Sequence, residues 1–159
     1  MDYETTFAMI KPGAIHRGLS GEIIKRFEQR GLSILALKMI MITEKQAREH
    51  YIEHVEKPFY ESLVEYITSG PVIVMCVYGK NAVGLVRNMA GDTDPLKSIP
   101  GTIRGDFSAD LENNIIHTSD AKKTAIREMN IYFDNNEVLD YHRITDDWSF
   151  QVVKKEKNE

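Results

Sequence analysis

One stretch of the sequence, NNIIHTSD at residues 113–120, places a histidine where nucleophilic chemistry is possible. His117 follows two isoleucines and precedes Thr118, Ser119 and Asp120, so an apolar run changes there into a helix start. A neutral imidazole is a nucleophile, with an ordinary pKa of ~6.5. Free N–H groups at a helix start attract phosphate, so the arrangement favours phosphoryl chemistry on His117. For this stretch alone, a half-buried strand-end histidine beside a helix cap is the stronger interpretation.

Cations and neutral donors elsewhere in the chain could hold a phosphate beside this histidine. The sequence contains no G-x-x-x-x-G-K-[ST] or G-x-G-x-x-G motif, so side chains must bind the phosphate instead of a glycine-rich loop. The candidates are Lys11, Arg87, Thr93, Arg104 and Asn114. Each one alone is more typical of a solvated charge or a turn. Together they could spread over a di- or triphosphate, because phosphoryl transfer depends on positioning and charge stabilisation.

A second histidine pattern is a weaker signal. His50 and His54 lie at i and i+4 of a predicted helix, with Glu53 between them. This spacing suits a metal ion, but no third ligand follows in the sequence, so we favour a solvated helix face. No dedicated metal cage is predicted.

Alternating strand and helix patterns must position these residues. The predicted strands are TTFAMI, LSILALKMIMI, PVIVMCVYG and NNIIH. The second of them is apolar enough to be covered by helices. The predicted helices follow Ser20, Thr43, Pro58, Asn81 and Ser119. The order β-α-β-(αα)-β-α-loop-β-α predicts an α+β, ferredoxin-like split β-α-β fold with a four-stranded antiparallel sheet covered by helices.

Local signals predict how several helices begin and end. Ser20, Asn81 and Ser119 are predicted N-caps, Thr43 begins a T-x-x-Q capping box, and Gly31 is a predicted helix stop. Before the last strand, the segment DTDPLKSIPGTIRGDFSADLE has little periodicity, which is typical of a functional loop.

Composition limits the class of protein. The 159 residues predict one domain over residues 1–150 and a charged tail over 151–159. A net charge of −4 argues against stable nucleic-acid binding, and no apolar run approaches the ~20 residues of a membrane span. The N-terminus lacks a signal-peptide pattern, so we expect a cytoplasmic protein. The lone Cys76 lies in an apolar run and is expected to be buried and inert.

Three motifs in order, TFAMIKP, PGTIRGDF and NNIIHTSD, resemble nucleoside diphosphate kinases, and the likeness extends over about residues 5–148. The resemblance implies ping-pong transfer of the γ-phosphoryl group from a nucleoside triphosphate such as ATP to a diphosphate such as GDP, with broad base specificity. It also implies Mg²⁺ carried on the nucleotide phosphates and a homo-oligomer, with a hexamer favoured over a tetramer.

The same resemblance assigns roles to individual residues. His117 is the phosphorylated residue, Glu128 holds its other ring nitrogen, Ser119 shapes its pocket and Asp120 lies near the metal, through water. Other matching positions contact phosphates, ribose or the reacting centre: Lys11, Tyr51, Arg87, Thr93, Arg104 and Asn114. Phe59 and Leu63 match the clamp that stacks the base. Without the resemblance, Phe59 and Leu63 would be interpreted as core residues and Glu128 as a residue of the helix surface.

Two departures from the family pattern concern the site. Gly13 replaces an acidic residue after Lys11-Pro12, and Thr118 replaces the glycine after the histidine, where it restricts the backbone and crowds the nucleophile.

Other functions remain open at this point. The principal alternative is a ferredoxin-like nucleotide-binding regulatory or scaffold protein without catalysis. A phosphohistidine phosphatase and a protein histidine kinase are also open, and RNA binding is the weakest, because the strands lack interleaved aromatic and basic residues.

Overall fold

The computed structural model describes residues 2–111 and 114–145, so the end of the predicted domain and the predicted tail lie outside the described residues. Along the chain the elements are β1 (Tyr3–Ile10), α1 (Pro12–His16), α2 (Ser20–Gln29), β2 (Ser33–Ile40), α3 (Glu44–His50), α4 (Tyr60–Thr68), β3 (Val72–Lys80), α5 (Ala82–Ala90), α6 (Ile103–Phe107), β4 (Ile116–Thr118) and α7 (Lys122–Tyr132). Single 3₁₀ turns lie at Ile52–His54 and Asn135–Glu137.

The four strands form one antiparallel sheet in the order β2-β3-β1-β4, which confirms the predicted α+β, split β-α-β fold. β1 is central, and its side chains alternate between the two faces of the sheet. Phe7 and Met9 pack with residues of α3, α4 and α7 on one face. Ala8 and Ile10 pack with residues of α2 and α5 on the other. The sheet therefore has a hydrophobic core on each side.

β2 differs from its predicted environment. It lies at an edge of the sheet, with a register shift between Ile34 and Ala36. Leu37 and Met39 are 45% and 57% exposed, so the prediction of a strand covered by helices was wrong for the single chain. The apolar character of this strand identified it as a strand, but an edge position depends on sheet order, which local sequence does not encode.

The observed ends of the helices show which of the predicted start and stop signals are correct. The Thr43 capping box is confirmed, since Gln46 N–H donates to Thr43 Oγ1 at 3.2 Å and Thr43 N–H donates to Gln46 Oε1 at 3.0 Å. Gly31 is also confirmed as a helix stop, with a φ of +89° just after α2. Asn81 is confirmed as the N-cap residue of α5, whereas the predicted N-caps at Ser20 and Ser119 were wrong. The cap positions are Leu19, Asn81 and Ala121, and none of their side chains makes a capping hydrogen bond.

The predicted loop carries a short helix that the sequence did not indicate. Thr102 begins α6, and its hydroxyl accepts a hydrogen bond from Gly105 N–H at 3.0 Å. Gly105 is required there because a Cβ at this position would collide with the carbonyl group of Ile99. α6 thereby holds Arg104 7% exposed, beside the end of the sheet where β4 lies. None of the helices in the described ranges is long and apolar enough to cross a membrane.

Candidate active site

His117 lies on β4, opposite Met9 of β1, and its side chain is 21% exposed. Its Nε2 is 2.8 Å from Glu128 Oε2. Among the residues that the structure describes, none makes a hydrogen bond to Nδ1. With a proton on Nε2 donated to the carboxylate, Nδ1 keeps its lone pair and is the nucleophilic nitrogen.

Glu128 reaches the histidine from α7. This helix buries Ala125, Glu128 and Tyr132, spaced three and four residues apart, against the sheet. Glu128 is only 2% exposed, and Ser119 Oγ donates to its Oε2 at 2.6 Å. A buried carboxylate is costly unless hydrogen bonds satisfy it. Ser119 and His117 supply those bonds, so the hydroxyl that was predicted to cap the helix instead orients the carboxylate behind the histidine.

Three cationic side chains surround the same space: Lys11, Arg87 and Arg104. Burial, with Arg104 nearby, lowers the pKa of Lys11 to about 7. Burial, with Arg87 nearby, lowers the pKa of Arg104 to about 10. Arg104 donates to the carbonyl groups of Gly91 and Ile116 at 2.7 and 2.8 Å. In the described ranges none of the three has a carboxylate within 4 Å, so the site has positive charge available for an anion.

Other polar atoms around the same space also lack partners. Tyr51 Oη, Asn114 Oδ1 and Arg104 Nε are buried and make no hydrogen bond within the described part of the chain. Burial, with Glu128 nearby, raises the pKa of Tyr51, so its phenol stays protonated. Buried polar atoms are normally hydrogen-bonded. Their side chains line one cavity, which indicates that a polar ligand satisfies them.

The cavity has a volume of about 450 Å³ and brings the predicted residues together. Its lining includes Lys11, Tyr51, Phe59, Leu63, Arg87, Thr93, Arg104, Asn114, His117, Asp120 and Glu128. Ser119 does not line it, because it is 1% exposed and lies behind Glu128. Phe59 is 40% exposed and, with Leu63, gives the cavity an apolar part. A hydrogen bond from Thr124 lowers the pKa of Asp120, which keeps that carboxyl ionised.

His50 is part of the cavity wall, and the prediction of a solvated helix face was wrong for it. It is 3% exposed, and its ring centroid lies 4.4 Å from that of His117. Burial, with His117 nearby, lowers its pKa well below the ordinary value. Ala47, His50 and Tyr51 form the buried side of α3 and its cap. Their i, i+3, i+4 spacing was a readable signal, but a histidine on an apolar face does not show what it faces.

Other residues that line the cavity were not predicted, notably Lys57 and Arg127. Lys57 Nζ lies 5.6 Å from the centre of the Phe59 ring, and Arg127 donates to the carbonyl group of Glu49 at 2.9 Å. Both are charged residues of ordinary surface character in the sequence, so only the fold reveals their position.

The two departures from the family pattern have structural explanations. At Gly13, a Cβ would lie 2.6 Å from Tyr66 Oη, which accepts the Gly13 N–H at 3.1 Å. The missing side chain therefore gives Tyr66 room. Thr118 is a strand residue paired with Ala8, so its β-branched side chain suits the extended backbone and no glycine conformation is needed. It is 4% exposed and lines the cavity next to His117.

Comparisons with known proteins all point to one family. The model of the family described as nucleoside diphosphate kinase matches residues 4–138. A nucleoside diphosphate kinase of Archaeoglobus fulgidus is 47% identical over 148 residues, 93% of this chain and 98% of its own. One from Pyrococcus abyssi is 52% identical over 151 residues, 93% of this chain and 94% of its own.

Solved structures give the same result. The structure of a halophilic nucleoside diphosphate kinase from Halobacterium salinarum in complex with CDP has a TM-score of 0.91 and 43% identity, covering 94% of this chain and 99% of its own. A transition-state mimic of the enzyme from Borrelia burgdorferi, with vanadate and ADP bound, has a TM-score of 0.85 and 34% identity, covering 91% of this chain and 95% of its own.

Proposed function

Because this chain belongs to the nucleoside diphosphate kinase family of phosphotransferases, we propose that it transfers a γ-phosphoryl group between nucleotides through a phosphohistidine on His117. The observation that carries the proposal is the hydrogen-bonded series Ser119–Glu128–His117, which leaves Nδ1 without a partner among the described residues. His117 lines a cavity whose three cations have no carboxylate partner in the described ranges. The nucleotide would bind with its terminal phosphate beside Nδ1.

The phosphates would be held by the cavity's cations and donors. Lys11, Arg87 and Arg104 would neutralise the phosphate oxygens, and Thr93 and Asn114 would supply neutral contacts to phosphate or ribose. Tyr51, as a protonated phenol, would donate a hydrogen bond near the reacting centre. Mg²⁺ would arrive as part of the nucleotide complex, bridging phosphate oxygens, and Asp120 would contact its water shell.

The base would stack on Phe59 and contact Leu63. An aromatic face offers every base the same stacking surface and reads few hydrogen bonds, so broad base specificity follows. The relatives with CDP and ADP bound support nucleotides of both pyrimidine and purine type as ligands.

The transfer would occur in two half-reactions, and the same Glu128 carboxylate would support His117 in both. The Nδ1 lone pair attacks the γ-phosphorus, the bond to the bridging oxygen breaks, and the nucleoside diphosphate leaves with that electron pair. Glu128 accepts the Nε2–H throughout and stabilises the positive charge that develops on the ring. A second diphosphate then attacks the phosphohistidine through a terminal oxygen, which restores the neutral His117.

A homo-oligomer is also proposed, with a hexamer favoured over a tetramer. The support is apolar surface on the β2 edge, at Leu37 and Met39, and in the long loop, where Leu96 and Ile99 are 95% and 69% exposed. Large apolar side chains left exposed on an edge strand and on a loop are typical of surfaces that bind another protein chain. The single domain over residues 1–150 and the cytoplasmic location remain predictions from the sequence.

Initial-rate kinetics test the transfer mechanism. With MgATP and a diphosphate varied together, a ping-pong enzyme gives parallel double-reciprocal lines, and GDP, CDP and UDP should be accepted with kcat/KM values within about tenfold. The variant His117→Gln should be inactive, and His16→Gln, at an exposed histidine of α1, should be unaffected. Intersecting lines would overturn the phosphohistidine route, and nucleotide binding without turnover would favour the regulatory alternative.

A further inference from the structure

One buried histidine in the cavity wall is assigned no role in the proposed transfer reaction. His50 is 3% exposed, and its Nδ1 lies 3.1 Å from Tyr132 Oη. Its other nitrogen, Nε2, is buried and makes no hydrogen bond with any residue that the structure describes. Metal-binding histidines typically have this arrangement, in which one ring nitrogen is hydrogen-bonded and the other is available to a ligand.

Two further ligand groups lie beside it. His50, His117 and Glu128 each offer an atom, and these three atoms lie within 4.8 Å of one another. Ligand atoms around a tetrahedral Zn²⁺ ion, at bond lengths of 2.0–2.1 Å, are about 3.3 Å apart. The separations would have to shorten by at most about 1.5 Å to bring the three groups into one coordination sphere.

We propose that His50, His117 and Glu128 bind a divalent transition-metal ion such as Zn²⁺, at a site separate from nucleotide-borne Mg²⁺. Two imidazoles and one carboxylate are a donor set that suits Zn²⁺ and Co²⁺, whereas Mg²⁺ prefers oxygen ligands. Three protein ligands leave a fourth position for water or a phosphate oxygen.

The outer contacts that such a site needs are already formed. Tyr132 Oη is placed to accept the Nδ1–H of His50, which leaves Nε2 as the ligand nitrogen. Ser119 donates to Glu128 at 2.6 Å and holds the carboxylate in place. Partners of this kind orient metal ligands, and their loss weakens metal binding by about 10- to 100-fold.

Nearby positive charge limits the affinity. Arg127 lies 3.9 Å from Glu128 Oε1, and Lys11 lines the same cavity. Glu128 is the single anionic group among the three ligands. The site is therefore a reversible one and not a structural zinc centre.

Metal binding would inhibit the proposed reaction, and this consequence rests on the proposed function, whereas binding itself does not. A metal held by His117 and Glu128 takes the histidine out of its hydrogen bond with the carboxylate and occupies the space that the γ-phosphate needs. Zn²⁺ would act as an inhibitor where Mg²⁺ supports turnover.

Direct binding of Co²⁺ and Zn²⁺ to the nucleotide-free protein is the first arm of the test. Native protein should bind one Co²⁺ per chain with the intense visible absorption of a four- or five-coordinate site, and Zn²⁺ should displace it. His50→Gln should lose this absorption. His54→Gln is the matched control, because His54 lies one turn further along, also lines the cavity and is outside the group of three ligands.

A variant that keeps every ligand guards against failure of His50→Gln to fold. Tyr132→Phe removes only the hydroxyl that holds His50, and it should weaken Co²⁺ binding by about 10- to 100-fold. No absorption with native protein, or the same absorption in His50→Gln, would overturn the site.

Inhibition is the second arm, with free Zn²⁺ fixed by a metal buffer and Mg²⁺ in excess. Each variant is compared with its own zinc-free rate, and His50→Gln should need at least about tenfold more Zn²⁺ than the native protein or His54→Gln for half inhibition. A native protein that binds Co²⁺ but never transfers phosphate would refute the proposed function and keep the metal site. A native protein that transfers phosphate but binds no Co²⁺ would refute the metal site and keep the proposed function.

Discussion

At the scale of single residues, the site depends on side chains whose character in the sequence differs from their role in the fold. Glu128 is a charged residue of the type usually found on a helix surface, yet it is 2% exposed and bonded to Ser119 and His117. The stretch around His117 made it a candidate, but the family resemblance was needed to assign its role. His50 was missed because no local pattern tells which partner a buried histidine will meet.

Replacing Glu128 with glutamine tests its orienting role. The amide still accepts the His117 Nε2–H, but the negative charge that stabilises the developing imidazolium is lost. We expect kcat to fall by about 10- to 100-fold and the nucleotide KM to change little. Steady-state kinetics measure both, with Glu65→Gln on the exposed face of α4 as the control. A variant with lost binding and unchanged kcat would contradict the role.

Lys11 should make stability depend on pH. Its pKa is about 7 in the folded protein and 10.5 when unfolded. Between pH 7 and 10.5 the unfolded chain binds more protons than the folded protein, so the free energy of unfolding rises with pH. Below about pH 7 the buried ammonium destabilises the native protein fully, and this destabilisation is lost as Lys11 becomes neutral. Lys11→Met should therefore be more stable than native at neutral pH, with its advantage shrinking by about 2 kcal/mol between about pH 7 and 9.

Urea unfolding at several pH values measures this difference. Lys25→Met, at an exposed lysine of α2, should show a stability difference from native that does not change across the same window. A constant difference for Lys11→Met would mean that Lys11 is solvated or ion-paired in the folded protein.

At the scale of elements, short signals were reliable where they act within one helix and failed where tertiary contacts compete. Thr43 and Gln46 satisfy each other and needed no other part of the chain. Ser119 has the sequence of a cap, but its hydroxyl is used by Glu128, nine residues later. The predicted loop was correctly located, but α6 inside it depends on Gly105 fitting against Ile99, a contact that periodicity does not reveal.

A methyl group at Gly105 should disturb the element that holds Arg104. Gly105→Ala forces the Ile99 carbonyl to move, so we expect a loss of about 1–3 kcal/mol of stability and a raised nucleotide KM. Gly21→Ala is the matched control, because a Cβ there meets nothing within 4 Å and the helix should be unchanged or stabilised. Urea unfolding measures the stability of each variant, and steady-state kinetics measure its nucleotide KM. The same stability and KM in both variants would contradict the close approach at Gly105.

At the scale of the whole molecule, the order of strands places the β2 edge and the β4 edge on opposite sides of the sheet. His117, the proposed phosphate carrier, lies on β4, while β2 carries exposed apolar side chains. The order of the elements along the chain predicted this four-stranded antiparallel sheet without the family resemblance. The exposure of β2 could not be predicted from its apolar sequence. An edge strand that a second copy of the chain covers has the same apolar sequence pattern as a strand that helices cover.

The exposed edge predicts an effect on assembly. Met39→Glu puts a charge on a side chain that is 57% exposed in the single chain, so the chain should fold while the oligomer dissociates to smaller species. Native mass spectrometry and sedimentation measure this. Ile126→Glu, at a 48% exposed apolar residue of α7, is the control and should keep the native assembly. An unchanged oligomer in Met39→Glu would exclude the β2 edge as an interface.

The central claim is that His117 carries the phosphoryl group between two nucleotides, and trapping that intermediate tests it most directly. Purified protein is incubated with γ-labelled ATP and Mg²⁺ without an acceptor, beside His117→Ala and the exposed-site control His16→Ala. We expect native protein and His16→Ala to hold label that resists alkali, is lost in mild acid and moves onto added GDP, and His117→Ala to hold none. Absence of label from the native protein, or the same label on His117→Ala, would contradict the account.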